Sequence, residues 1–437
     1  MRRYVILFLI LIAAFWGCSK RENPAEPTIS AGRFVLGFVS GGLDESLTGE
    51  TVGRHVYVYE PTNYASPDYW FTYTESTYVD TAWWLDGESY DTLIVDPDST
   101  IIDTVTEVVD STLVRDTVSY DMPSLYLLHG FLGDHRYFKG LFMLGDILNE
   151  MISTGEIEPM VIVTPDCWNI FGGSFYTNSP EDPDLGMSFS GNFEDFVTTK
   201  LIDYITFNFN VDTASARRGI SGHGMGGYGA LTLAMKHPDL FSSVSSMSAP
   251  VAFDSLIGLF DYVYAENNFD TSAVPPDTAG FYAIAPSSER ELTTLIFAMG
   301  AAFSPHATNN DDTLLFHRVV DTDFPFGVDL PFNIDGTLND SLWGNYWLPN
   351  DPLTILLTGG NVSLQGKPIY LDCGNADDFI MDLHLQNRAF TQELENQGLD
   401  YEYIEYSGYP GTDADHLTFI ADRLREVLKF HSQAFSE

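Results

Sequence analysis

The stretch Gly219-Ile-Ser-Gly-His-Gly-Met-Gly-Gly-Tyr-Gly-Ala-Leu231 places six glycines within thirteen residues, and no other segment restricts this chain as strongly. Glycine weakens a regular helix or strand, so such density marks a place where its freedom is needed. A strand that turns abruptly into a helix is one such place. Within the stretch, Gly222-His-Gly-Met-Gly226 has the spacing of Gly-x-Ser-x-Gly, in which the flanking glycines permit the turn and the central side chain is held out over the sheet end. Here the central residue is Gly224. The turn is encoded, but the hydroxyl that would attack from it is not.

Around this turn, apolar runs of strand length alternate with stretches of helical period. Met160 to Thr164, Ser243 to Met247 and Pro368 to Leu371 read as buried strands; Tyr137 to Ile152, Phe193 to Phe207 and Leu424 to Phe430 read as helices. This alternation predicts a mostly parallel central sheet flanked by helices. Arg33 to Ser40 and Arg54 to Tyr59 have the two-residue period of leading antiparallel strands. Two segments interrupt the pattern. Residues 65–120, rich in Thr, Val and Asp, predict a β-hairpin insertion. Residues 251–366 predict a cap over the C-terminal edge of the sheet, with a helix over Glu291 to Phe303 and none through Phe324-Pro-Phe-Gly-Val-Asp-Leu-Pro-Phe332, where the prolines forbid it. No Cys and His spacing suits a metal, and no cofactor is expected.

Composition narrows the partners. With 20 Lys and Arg against 62 Asp and Glu, the formal net charge is −42. Such a surface repels phosphate backbones and excludes nucleic acid as a partner. An Asp-rich, Lys-poor exterior also suits concentrated salt, which screens its self-repulsion; a halophilic source is expected, with calcium binding at the surface as the competing explanation. At the N-terminus, Arg2 and Arg3 precede an apolar run from Tyr4 to Trp16, too short to span a bilayer and suited to a signal-peptide core. Cys18 follows Gly17, so residues 1–18 read as a bacterial lipoprotein signal with Cys18 as the lipidated residue, and residues 19–32 as a tether. The expected location is the cell envelope, periplasmic or at the cell surface, with a lipid anchor in the membrane; simple secretion and an uncleaved anchor are the alternatives.

Several further motifs occur in a consistent order. Leu125-Tyr-Leu-Leu-His-Gly-Phe-Leu-Gly-Asp134, Gly173-Ser-Phe-Tyr-Thr-Asn-Ser179, Lys236-His-Pro-Asp-Leu-Phe241 and Ile369-Tyr-Leu-Asp-Cys-Gly-Asn-Ala-Asp-Asp-Phe379 accompany the glycine turn. Together these segments resemble the putative-esterase family of α/β-hydrolases, which includes S-formylglutathione hydrolases, feruloyl esterases and mycolyltransferases. The resemblance implies one α/β-hydrolase domain over residues 33–437, carrying the two insertions. It also places Cys167 and Cys373 at the ends of strands about four spacings apart, roughly 19 Å at about 4.8 Å each, beyond the reach of a disulfide.

The same resemblance implies a site. Gly224 stands at the nucleophile position. Asp377, three residues after Gly374, is its acid, with Asp378 as fallback, and His416 is its base. Backbone N–H groups of Met225 and of Phe131 or Leu132 would form the oxyanion hole. His129 and His223 are expected to be structural. Ser221, half an elbow in a shifted register, should lie in the strand with its side chain packed. The expected function is a non-catalytic or very weak hydrolase that binds an acyl- or glycan-type ligand in the esterase pocket, in other words a pseudoenzyme. One alternative is an active carboxylic-ester hydrolase using an activated water or a displaced nucleophile; a second is a structural surface protein. The sequence names no protein partner.

Overall fold

The computed structural model describes residues 31–40, 46, 53–62, 64, 69–79, 104–115, 122–181, 187–306, 317–318, 327–378 and 382–436, with the backbone alone for 69–79, 104–115 and 318. The signal and lipidation assignments, Cys18 included, and most of the tether lie outside these residues. Among the described residues, no helix is long and apolar enough to cross a membrane.

The described residues form thirteen strands, and eight of them make one sheet. In chain order they are β1 Arg33–Val39, β2 Arg54–Glu60, β3 Tyr69–Val79, β4 Thr104–Arg115, β5 Ser124–Leu128, β6 Val161–Pro165, β7 Arg218–Gly222 and β8 Ser243–Met247. Three two-residue strands in the cap follow, β9 Pro305–His306, β10 His317–Arg318 and β11 Gly327–Val328; then come β12 Ile369–Gly374 and β13 Glu402–Tyr406. The main sheet has the order β1-β2-β6-β5-β7-β8-β12-β13. β1, β2 and β6 pair antiparallel, and every other neighbour pair is parallel. Parallel strands covered on both faces are shielded from water at every position, and β5, β6, β7, β8 and β12 are buried throughout. The topology is that of a doubly covered α/β sheet whose ligand-binding crevice lies beyond the C-terminal strand ends.

One face carries the helices Leu144–Thr154 and Ile420–Ala434 with a smaller core around Phe138, Leu148, Met151, Leu424 and Leu428. The other face carries the helix Met225–Lys236 and merges with the interior of the cap into a larger core. The described residues of 251–366 are therefore joined to the sheet through shared packing. Tyr228 stacks on Phe253 at 5.9 Å between ring centroids, and Phe303 meets Trp347 at 5.5 Å. Glu291–Phe303 is a helix, as its sequence predicts. The stretch Tyr137 to Ile152 is not one helix: a wide turn at Tyr137–Leu141 is separated from Leu144–Thr154 by Met143, whose φ of 54° breaks the helical path. In the insertion, β3 and β4 pair antiparallel with an irregularity between Thr74 and Glu75. Cys167 and Cys373 are buried free thiols, and β5, β7 and β8 lie between their strands.

Candidate active site

β7 ends at Gly222 and the next helix starts at Met225, so two residues make the turn. Close approach closes its flanks to side chains. A Cβ on Gly222 would lie 2.2 Å from the Gly226 backbone, and one on Gly226 would lie 1.9 Å from the Leu128 carbonyl oxygen. Gly224 has φ 56° and ψ −115°, a conformation costly for any residue with a Cβ and the strained geometry that exposes a nucleophile in such elbows. The Gly224 N–H donates to the Met247 carbonyl at 2.8 Å, and the Gly226 N–H to that of His223 at 2.8 Å. The turn is thus held by backbone bonds.

Two distant side chains meet in front of Gly224. His416 lies in the loop between β13 and the terminal helix, and its Nδ1 is 2.9 Å from Asp377 Oδ2. A carboxylate only accepts, so Nδ1 carries the proton and Nε2 faces the turn. A Cβ built on Gly224 would sit 3.0 Å from that Nε2 and 3.3 Å from Cε1. Asp377 is fully buried beyond the end of β12, while Asp378 is exposed and lines the cavity. Of the two carboxylates, the structure puts Asp377 against the imidazole.

The candidate oxyanion donors divide. The Leu132 N–H donates to the Gly172 carbonyl at 2.8 Å, so it is engaged and corrects the expectation that either residue of the loop could serve. The N–H groups of Phe131 and Met225 have no such partner, and both residues line the cavity with Gly224 and His416. Met225 is also the first residue of its helix, where unsatisfied N–H groups carry partial positive charge. His129 braces this loop from behind: its Nε2 accepts from the Cys167 N–H at 2.9 Å, and Tyr176 Oη donates to its carbonyl at 2.8 Å.

The cavity has a volume of about 460 Å³ and is walled by Phe131, Tyr137, Phe142, Phe175 and Leu295, the last from the cap. Leu141 and Leu417 also line it and are 69% and 58% exposed, which gives the mouth an apolar rim. Two carboxylates, Asp378 and Asp415, are in the lining.

Sequence reasoning missed the layer that holds His416. His223 is fully buried; its Nε2 donates to the His416 carbonyl at 3.0 Å and its Nδ1 accepts from Tyr137 Oη at 2.9 Å. Burial, with His416 and Arg423 nearby, pushes its pKa well below the usual histidine value and keeps the ring neutral. Arg423 on the terminal helix pairs with Asp372 of β12, both side chains having no exposure, and its Nε–Oδ1 distance is 2.8 Å. It also donates to Ser248 Oγ at 2.8 Å and to the His416 carbonyl at 3.4 Å. Burial opposes the charge on Arg423, but Asp372 outweighs that and holds the guanidinium charged. Ser221 is buried in β7 and accepts from Ser245 Oγ at 2.7 Å; Ser245 in turn meets His431 Nε2 at 2.9 Å. It belongs to the core beneath the terminal helix and does not line the cavity.

The family described as Putative esterase matches residues 110–422. An S-formylglutathione hydrolase of Mus musculus is 40% identical over 89 residues, 20% of this chain and 29% of that protein. An esterase of Mycobacterium tuberculosis is 33% identical over 141 residues, 31% of this chain and 27% of that protein. The chain thus spans under a third of the length of these curated relatives. Among solved structures, an S-formylglutathione hydrolase from Agrobacterium tumefaciens aligns at 15% identity and a TM-score of 0.49, covering 94% of this chain and 99% of that one. A ferulic acid esterase aligns at 17% identity and 0.48, covering 92% and 99%.

Proposed function

The chain belongs to the Putative esterase family, and from that premise we propose that it is a non-catalytic or very weak member which binds an acyl- or glycan-type ligand in the esterase cavity. The observation that carries this reading is Gly224: the turn, the Asp377–His416 pair and two available N–H donors are together, and the residue they surround has no side chain. An ester carbonyl could still be held by the Phe131 and Met225 N–H groups, with an acyl chain along the apolar wall. What is missing is the covalent step.

Loss of the nucleophile costs on the order of 10⁶ in turnover in a well-studied serine protease, while binding and the oxyanion hole retain a residual rate. Hydrolysis of p-nitrophenyl acetate and butyrate by the purified protein should therefore be barely above background. Gly224→Ser should raise the rate by orders of magnitude, and His416→Ala in that background should remove the gain. Ordinary enzyme rates from the unmutated protein would sink the proposal.

A specific observation also favours a second reading, the active hydrolase. His416 Nε2 is aligned towards Gly224 and could take a proton from a water bound there. That reading predicts measurable turnover in the unmutated protein which His416→Ala abolishes. We further propose export and lipid anchoring through Cys18, supported by the charged, apolar and small-residue order of residues 1–18. Metabolic labelling with a radioactive fatty acid, lost in Cys18→Ser, tests it.

A further inference from the structure

A second cavity, of about 590 Å³, lies within the cap and shares none of its lining with the esterase cavity. Its aromatic wall comes from Phe281, Tyr282 and Phe332, and His317 of β10 sits among them with 2% exposure. The His317 ring centroid is 4.8 Å from Phe281 and 5.3 Å from Tyr282. Its Nε2 donates to the Phe281 carbonyl at 3.1 Å, which leaves Nδ1 as the lone-pair nitrogen. That Nδ1 is buried and has no hydrogen-bond partner. Burial lowers the His317 pKa to about 4, so the ring is a neutral acceptor at physiological pH.

Buried polar atoms are almost always satisfied, and one that is not calls for an explanation. The rest of the lining suggests the chemistry of what satisfies it. Among the described residues of the wall, Asp329 is the only formally charged one; one of its carboxylate oxygens meets His306 Nδ1 at 3.2 Å. The Asn333 side-chain amide gives its hydrogens to Thr337 Oγ1 and the Leu338 carbonyl, which leaves its own oxygen as an acceptor. Aromatic faces, one carboxylate and an unpartnered lone pair favour a cation with N–H donors over an anion, and the protein's charge of −42 draws cations towards it.

We propose that the cap cavity is a binding site for a small organic ammonium ion, with an apolar body against Phe281, Tyr282 and Phe332 and its N–H groups towards His317 Nδ1 and Asp329. The site is independent of the esterase cavity and stands whether or not Gly224 abolishes hydrolysis. Recognition needs both the charge and the N–H bond. Benzylammonium should therefore bind more tightly than benzyl alcohol, which lacks the charge, and than benzyltrimethylammonium, which lacks the donors.

Titration of the full purified chain with these three probes tests this, followed by the ¹⁵N imidazole signals of His317 and by calorimetry. The expected result is saturable binding of benzylammonium that perturbs the His317 signals, weakened at least about fivefold in Asp329→Asn and in His317→Phe. Asp329 lines the cavity with a partly exposed side chain, so Asp329→Asn keeps the test decisive if His317→Phe fails to fold. Failure of benzylammonium to saturate, equal affinity for benzyl alcohol or benzyltrimethylammonium, or unchanged affinity in Asp329→Asn would overturn the proposal.

Discussion

At the scale of single residues, the geometry at Gly224 sets both the promise and the limit of restoring a nucleophile. A serine there would enter a turn already held by backbone bonds, but its Cβ would press on His416 Nε2 at 3.0 Å, so the ring must give by a few tenths of an ångström. The recovered rate for Gly224→Ser should accordingly be at least about 10²-fold above the parent yet short of the full 10⁶ span. A crystal structure of the variant should show the imidazole displaced away from residue 224. His431 offers a second residue-scale test. Burial depresses its pKa to about 3, whereas an unfolded histidine titrates near 6.5, so the unfolded chain binds the extra proton. The neutral ring's contribution is complete above pH 6.5 and is lost as pH falls below it, at about 1.4 kcal/mol per pH unit for one proton. His431→Gln should therefore flatten the loss of stability between pH 6.5 and 5 by roughly one proton, read from urea unfolding at each pH.

At the scale of elements, the terminal helix is held to the sheet by a buried charge pair that also supports the histidine loop. Removing Arg423 would leave Asp372 buried without its partner, which costs about 3–5 kcal/mol; Arg423→Met should lower stability by that much in chemical denaturation. The double change Arg423→Met with Asp372→Leu should cost markedly less, because no orphaned charge remains. This pair was invisible in the sequence for a physical reason. Arg423 falls in a helical stretch among charged residues and reads as solvated, and its partner is 51 residues away. By contrast, β6 and the helix Glu291–Phe303 were legible because each carries an unbroken apolar run, Met160 to Val163 in and before the strand and Leu295 to Phe303 in the helix. Tyr137 to Ile152 misled because its apolar spacing continues through Met143, while φ at that residue reverses the chain path. Asp377 and His416 could be named only through resemblance to a family, since spacing alone does not bring two loop residues together. The unpaired lone pair of His317 left no trace in the sequence.

At the scale of the whole molecule, charge is the property that the fold does not explain. A net charge of −42 opposes compaction, and salt shortens the screening length from about 10 Å at 0.1 M to about 3 Å at 1 M. If the composition is an adaptation to salt, the melting temperature should rise by roughly 5–10 °C between low and molar KCl, a shift of about 5–9 kcal/mol for a chain of this size. An unchanged midpoint removes the idea, and a similar rise with millimolar calcium alone favours the metal explanation. The glycine at the head of the elbow helix has one more consequence, for detection in the cell. Reagents that tag serine hydrolases do so by bonding to the elbow oxygen, and Gly224 offers no side-chain atom to phosphonylate or acylate. A survey of a proteome by such tags would leave this protein unmarked however abundant it is, and only a label-free mass count would find it.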